Sequence, residues 1–224
     1  MENKKVIVAI VIVVILIVGI VCGTFIFGNF NKEQTKLLTE ESNKILQSDI
    51  SKDNIDFDIK TQKNYAIVEK SIKEYVSELK NIYVEMEELN RGINPNNIFT
   101  AQNMQDNDLK EIEDIISEYK EKSQSCISEL EKMLTEEKIS ENITKNNFSS
   151  RTEYYTELYN TVMLSDVMKK QYNSLEEKVK DEKSELYDKI NKIDKIKEFL
   201  EKNKDAWTIK DDKIQFTNLN RMKI

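Results

Sequence analysis

The chain has 224 residues, with 34 Lys or Arg against 41 Asp or Glu, and it contains no His. Without His, neither a Ser-His-Asp triad nor an imidazole zinc site can exist within this chain. The net charge of −7 is mixed in sign along the sequence, which argues against a nucleic-acid partner and against docking on anionic lipid headgroups, because both bind basic patches. With four Gly and one Pro, the composition favours long helices over a multi-stranded sheet. We predict no enzymatic activity and no cofactor.

An uncharged apolar run extends from residue 6 to residue 27. As a helix, its 22 residues would span about 33 Å, enough to cross a hydrocarbon core of about 30 Å. We predict a single-pass, uncleaved signal anchor preceded by a short tail (residues 1–5), because no small-residue cleavage pattern follows the run. Lys4 and Lys5 favour a cytoplasmic N-terminus. The chain from residue 28 onward is therefore expected outside the cytoplasm, tethered to the cell membrane.

Two features inside this run carry further hypotheses. Gly19 and Gly23 form a G-x-x-x-G pattern, which in lipid would let two copies of the helix approach closely and form a homodimer. Cys22 ends an apolar stretch as in lipoprotein signals, although Val21 stands where such signals have a small residue. Lipidation of Cys22 is therefore the less favoured alternative to a plain anchor.

The polar region that follows shows helical periodicity. Residues 28–60 are predicted to be a juxtamembrane stalk and linker, with alternation at 54–59 that fits either a half-buried strand or an extended linker. Residues 61–204 are predicted to form an extended antiparallel bundle of three to four long helices. Their first apolar stripe is wider than a two-stranded coiled-coil seam, which favours several neighbours. Its members are spaced by three and four residues: Tyr65, Val68, Ile72, Tyr75, Leu79, Ile82, Met86 and Leu89.

Local signals predict where the first two helices end. Gly92 is placed to stop the first helix in a left-handed conformation, and Pro95 follows to prevent its resumption. The second helix carries an apolar stripe over residues 109–133. Cys126 lies in this stripe, where it is expected to be a small buried hydrophobe or, alternatively, a bridge between two chains.

A third helix is predicted to begin at a capping box, in which Ser150 accepts from helix amides and Glu153 reaches back. Its apolar stripe continues toward residue 204. The stripe lapses at residues 182–183, which indicates a break or an exposed stretch near residues 178–184.

The chain is predicted to end in a β-hairpin and tail over residues 205–224. Apolar and polar residues alternate on both sides of Asp211-Asp212, and a two-residue turn there would pair the two halves. A hairpin this short is marginal alone, so its apolar face is expected to dock on the bundle or to receive a partner. That face comprises Trp207, Ile209, Ile214 and Phe216.

The anchor, the helix start YAIVEKSIKEY at residues 65–75 and the closing Trp-x-Ile…Ile-x-Phe hairpin resemble uncharacterised membrane-anchored envelope proteins of low-GC Gram-positive bacteria. The resemblance implies fold and location, and no activity. We expect a membrane-tethered, extracytoplasmic helical bundle that contacts an unknown envelope protein, as a non-catalytic scaffold or accessory subunit. The alternative is an extracytoplasmic ligand-sensing or binding module, whose candidate pocket aromatics are Tyr65, Tyr75, Tyr83, Tyr119 and Tyr155.

Overall fold

The computed structural model describes residues 28–104, 109–211 and 213–217. The predicted anchor at residues 6–27, with Gly19, Cys22 and Gly23, lies outside the described residues. Among the helices of the described part, none combines the length and the apolar character needed to cross a bilayer.

The described part of the chain is mainly helical and ends in a small β-hairpin, which confirms the predicted fold class at that level. It contains seven α-helices, a 3-10 turn and two strands. In chain order these are α1 (Gly28–Gln47), α2 (Asn64–Gly92), α3 (Pro95–Ile98), α4 (Lys110–Met133), α5 (Glu136–Thr144), α6 (Thr152–Met163), α7 (Asp166–Lys202), the 3-10 turn (Lys204–Ala206), β1 (Trp207–Lys210) and β2 (Lys213–Phe216).

The chain divides into two compact units, which differs from the single bundle predicted over residues 61–204. Unit 1 comprises the described residues through Asn81 together with Glu131–Glu177. Unit 2 comprises Ile82–Leu130 and the described residues from Lys178 onward. The boundaries fall inside α2, α4 and α7, so these three helices contribute residues to both units.

The segment predicted as a stalk is part of unit 1. Helix α1 buries Leu38, Ile45 and Leu46, and the backbone N–H of Gln62 donates to Gln34 Oε1 of α1 at 2.6 Å. The apolar positions of α1 are therefore covered within the unit. Residues 54–60 form neither helix nor strand, which agrees with the linker interpretation and not with the strand.

Helix α2 confirms the predicted first helix, and its apolar stripe is buried except at Leu89, which is partly exposed. Its end differs from the prediction, because Gly92 is the last helical residue and does not take a left-handed conformation. The turn that follows is made by Asn94, whose side chain caps α3 by accepting from the Asn97 N–H at 3.1 Å. Pro95 occupies the first turn of α3, where its missing N–H has no cost.

The predicted capping box is wrong by one residue. Helix α6 begins at Thr152, and its N-cap is Arg151, which has a φ of 54° and makes no side-chain capping bond. The preceding loop is held by a tertiary contact, since the Asn64 amide donates to the Ser150 carbonyl at 2.9 Å. The Ser149 hydroxyl also donates to Asn64 Oδ1 at 3.0 Å. This contact holds the loop in place, and a local capping pattern cannot predict it because Asn64 is distant in sequence.

Of the two alternatives predicted near residues 178–184, the break is wrong and the exposed stretch is confirmed, because residues 180–185 include no buried side chain. The chain breaks earlier, between α6 and α7, and α7 then continues for 37 residues, about 55 Å. Ser165 supplies the start signal, because its hydroxyl accepts from the Met168 N–H at 3.3 Å. The polar stretch at residues 178–184 lies within this continuous helix.

The C-terminal hairpin forms in the predicted register. Trp207 pairs with Phe216 and Ile209 pairs with Ile214 in antiparallel strands. Asp211 has a φ of 52°, the left-handed conformation that such two-residue turns require. The Thr217 N–H donates to the Ala206 carbonyl at 2.8 Å and extends the pairing by one bond.

Candidate functional site

A groove of about 330 Å³ lies on unit 2 and is our candidate functional site. It is formed where the end of α2, the short helix α3 and the middle of α4 come together. We call it the α2–α4 groove, and it is lined by Leu89, Asn97, Ile98, Ile115, Glu118, Tyr119 and Lys122.

The groove exists because the end of α2 lies close to Tyr119. A Cβ atom on Gly92 would lie 2.8 Å from the Tyr119 hydroxyl oxygen, so only glycine leaves the phenol in place without a shift. The Asn97 amide donates to the Gly92 carbonyl at 3.0 Å and holds α3 against the end of α2. Ile98 of α3 is thereby buried in the floor of the groove.

The groove offers an apolar surface with a charged rim. Leu89, Ile115 and Tyr119 are partly exposed along it, while Glu118 and Lys122 form an ion pair one helical turn apart. The hydrogen bond that Lys122 donates to Glu118, and then the negative charge of Glu118, raise the pKa of Lys122. Such a surface can receive apolar side chains and orient a polar group beside them. Within the described residues, no group of three or more Cys, Asp or Glu could hold a metal ion.

A second, more polar pocket of about 210 Å³ on unit 2 surrounds Asn90. The polar and charged groups of this pocket bind one another. Lys189 Nζ donates to Asn90 Oδ1 at 2.7 Å and forms an ion pair with Glu185 at 2.7 Å. The Asn90 amide in turn donates to Glu182. The Lys189 hydrogen bond, and then its charge, lowers the pKa of Glu185. These bonds join α2 to α7 within unit 2, which is a structural role.

Unit 1 contains a buried charge cluster of Glu41, Glu69 and Lys73 that the sequence analysis did not predict. The Lys73 side chain is only 2% exposed, and its ammonium lies 2.7 Å from Glu41 and 2.8 Å from Glu69. Its third proton is donated to the Asp58 carbonyl at 2.8 Å. Glu69 also accepts from the Thr61 N–H at 2.9 Å and the Thr61 hydroxyl at 2.8 Å. Every proton of the ammonium has a partner, so the cluster fastens the linker to α1 and α2.

The electrostatics of this cluster keep all three groups charged. Burial acts to raise the pKa of Glu41 and of Glu69. The hydrogen bonds that Glu41 accepts from Lys44 and Lys73 outweigh burial, so the pKa of Glu41 is lowered. The hydrogen bonds that Glu69 accepts from Lys73 and Thr61 lower its pKa in the same way. Burial likewise acts to lower the pKa of Lys73, and the hydrogen bonds to Glu41 and Glu69 reverse this and raise it. A cluster that is fully charged and fully hydrogen-bonded offers no free acid or base for catalysis.

The tyrosines that the sequence suggested as pocket aromatics are mostly core residues. Tyr65, Tyr75, Tyr83 and Tyr155 are buried, and the Tyr65 and Tyr155 rings meet edge to face at 5.2 Å. The Tyr75 hydroxyl donates to the Met133 carbonyl. Of the five, Tyr119 alone lines either pocket described above. Tyr119 in the α2–α4 groove is therefore the candidate aromatic that supports the ligand-sensing alternative.

The hairpin face divides between the core and solvent. Trp207 is part of the buried cluster of unit 2, and Ile209 and Ile214 pack against that cluster. The Trp207 indole N–H donates to the Leu200 carbonyl at 2.9 Å, which ties β1 to the end of α7. Phe216 is 41% exposed, with its ring centroid 6.2 Å from that of Phe199.

We expect iodide to quench the fluorescence of Trp207 poorly in the native protein, because its side chain is buried and its N–H is bonded. The chain has one Trp, so the signal reports this position alone. Quenching should rise severalfold when the chain is unfolded in guanidinium. Equal quenching in the two states would show that the hairpin is not docked and that its apolar face is open.

Cys126 is a free, buried thiol. Its Sγ lies 3.3 Å from the Ile82 carbonyl oxygen. Burial, and then the charges of Glu85 and Glu129, raise its pKa to about 11. These observations support the interpretation as a small hydrophobe and disfavour a bridge between two chains, because the thiolate is the reactive form.

Cys126 should therefore resist a thiol reagent at mildly alkaline pH while the protein is native, and react fully once it is unfolded. The measurement uses a Cys22→Ser variant, so that each adduct reports Cys126. Rapid native labelling would place this thiol at the surface and contradict its burial.

Comparison with protein-family models, curated proteins and solved structures finds no match to this chain. The resemblance to an envelope family therefore stays a prediction from the sequence.

Proposed function

We propose that this chain is a membrane-tethered, extracytoplasmic helical protein that acts by protein–protein contact, as a non-catalytic scaffold or accessory subunit of the cell envelope. The tether is supported by the uncharged run at residues 6–27, which leads directly into α1 at Gly28. The run would be an N-terminal, single-pass transmembrane helix. The partner would be another envelope protein.

The α2–α4 groove is the observation that carries the proposed contact. Its volume of about 330 Å³ lies at the lower end of small-ligand pockets, which span about 300–1,000 Å³. It is open to solvent, and its apolar side chains are rimmed by the charged pair Glu118–Lys122. An apolar centre with a polar rim is the usual anatomy of a protein contact. The groove therefore suits one or two apolar side chains of a partner.

In-cell photocrosslinking tests this contact. A benzophenone amino acid at position 115, within the groove, should give a discrete protein adduct in membrane fractions. The same probe at position 121, an exposed site on α4 outside the groove, is the matched control and should give none. A Leu89→Glu variant that keeps its circular dichroism spectrum should lose the adduct at position 115.

Two other results would contradict the contact. Equal adducts at positions 115 and 121 would show that the groove is not selective. A small-molecule adduct at position 115, detected by mass spectrometry in place of a protein, would support the ligand-binding alternative.

A further inference from the structure

One end of unit 1 brings together the beginnings of α1, α2 and α6. Gln34, in the second turn of α1, accepts from the backbone of Gln62, just before α2. Asn64, the first residue of α2, is bonded to Ser149 and Ser150, just before α6. The three chain segments that enter these helices therefore lie side by side. We call this region the proximal end of unit 1, because α1 begins there immediately after the apolar run.

The proximal end exposes an aromatic ring beside a cation. Phe30 is 38% exposed, although it lies in the first turn of α1. The Lys63 ammonium lies 4.6 Å from the centroid of its ring. Aromatic rings and long cationic side chains are the residues that concentrate at the boundary between hydrocarbon and lipid headgroups. Phe30 is three residues beyond the end of the run, which is the position of such a boundary.

The same end carries positive charge from side chains and from backbone. Lys63 and Arg151 are both exposed, and each precedes a helix in a left-handed conformation with a φ of 54°. Helices α2 and α6 direct their N-termini here, and each terminus carries about half a positive charge. The N-cap of α6 makes no side-chain capping bond. Glu153 in the first turn of α6 and Glu33 in the second turn of α1 are acidic residues near this end. With Lys32 beside Glu33, the cations Lys32, Lys63 and Arg151 outnumber them, three to two.

The charge of the whole chain argues against lipid docking in general, but we propose that the proximal end of unit 1, where Lys63 and Arg151 are exposed, docks on anionic phospholipid headgroups of the bilayer that holds the anchor. This inference rests on the proposed tether, because the run at residues 6–27 brings the proximal end to the surface. Phe30 would enter the boundary region, and Lys63 and Arg151 would contact lipid phosphates. Unit 1 would then be held at the membrane by a folded surface as well as by the covalently attached anchor.

Headgroup proximity at Ser150 tests the docking, because this residue is far from the run in sequence and reaches the proximal end only through the fold. The full chain with Cys22→Ser and Ser150→Cys would be labelled with a fluorophore and placed in nanodiscs that contain nitroxide-headgroup lipid. A matched label at Glu137→Cys sits at the start of α5, beyond the Met133 carbonyl that Tyr75 contacts, and so away from the proximal end. We expect severalfold stronger quenching at position 150 than at position 137.

A second experiment varies the charge of the lipid and the charge of the protein surface. Quenching at position 150 should increase with phosphatidylglycerol and should fall in a Lys63→Glu/Arg151→Glu variant. A Lys132→Glu/Lys170→Glu variant, which reverses two exposed lysines elsewhere on unit 1, should change little. The milder Lys63→Gln/Arg151→Gln variant gives the same comparison if the reversal disturbs folding.

Equal quenching at positions 150 and 137 would overturn the docking and leave the tether intact. Strong quenching at position 150 that ignores both lipid charge and the Lys63 and Arg151 variants would overturn the headgroup contact. A chain that does not co-elute with the nanodiscs would overturn the tether itself, and the docking with it.

Discussion

Replacing Lys73 by methionine is expected to lower the free energy of unfolding by about 3–5 kcal/mol near neutral pH. The substitution leaves Glu69, which is 1% exposed, buried without a counter-charge, and leaves Glu41, which is 6% exposed, with only the exposed Lys44 as its ion-pair partner. It also removes the bond from the ammonium to the Asp58 carbonyl. Urea unfolding of the detergent-solubilised chain, followed by circular dichroism, measures the loss.

Lys70→Met is the matched control, because Lys70 lies on the same helix and its ammonium is 3.5 Å from Glu74. That pair is exposed, so its loss should cost less than about 1 kcal/mol. Equal losses for the two variants would contradict the burial of the Lys73 cluster. Adding Glu69→Gln to Lys73→Met should restore part of the stability, because it removes the buried charge that has lost its only ion-pair partner.

The stability of the wild-type chain should depend on pH through this cluster. The folded pKa values of Glu41 and Glu69 are lowered from 4.5, so their contribution is present above that pH and is lost as the pH falls through the folded values. The folded pKa of Lys73 is raised from 10.5, so its contribution is present below that pH and is lost as the pH rises further. The Lys73→Met variant should approach wild-type stability as the pH falls below 4.5, where protonation relieves its buried carboxylates.

Replacing Leu79 by aspartate is expected to cost more than about 4 kcal/mol, because it places an unpaired charge at a fully buried position of α2. Asn81→Asp, an exposed position two residues further along the same helix, adds the same carboxylate at the surface and should have little effect. Thermal unfolding followed by circular dichroism compares the two. An unchanged melting temperature for Leu79→Asp would show that the α2 stripe does not face a core.

Periodicity predicted the helices well because burial of apolar side chains decides which face of a helix is covered. The stripe of α2 is buried as expected from Tyr65 to Met86. The hairpin register could also be predicted from the sequence. Apolar and polar residues alternate on both sides of Asp211-Asp212, and a two-residue turn there places Trp207 opposite Phe216, as observed.

Helix ends were predicted less well, because tertiary contacts compete with local signals there. Gly92 has the sequence context of a left-handed stop, but Asn94 and Pro95 make the turn and the glycine instead accommodates Tyr119. The start of α6 is set by Asn64, far away in sequence. The start of α7, by contrast, has a local signal in the sequence, since Ser165 precedes an acidic first turn.

The candidate site was predictable only in part. Tyr119 was singled out from the sequence, but Asn97 and Ile98 belong to a four-residue helix that is too short to give a periodic pattern. The buried cluster was missed because Glu69 and Lys73, four residues apart, form a pattern typical of solvated helix faces. Only the packing of α1 and the linker over this pair makes it a buried site.

Protease treatment of intact cells from which the wall has been removed tests most directly whether the helical region is tethered outside the cytoplasm. With N-terminal cytoplasmic orientation, added protease should degrade the chain beyond about residue 31 and leave a short, membrane-protected fragment that contains residues 6–27. Complete protection of the chain in intact cells, with degradation only after lysis, would place the helical region in the cytoplasm and contradict the proposed function.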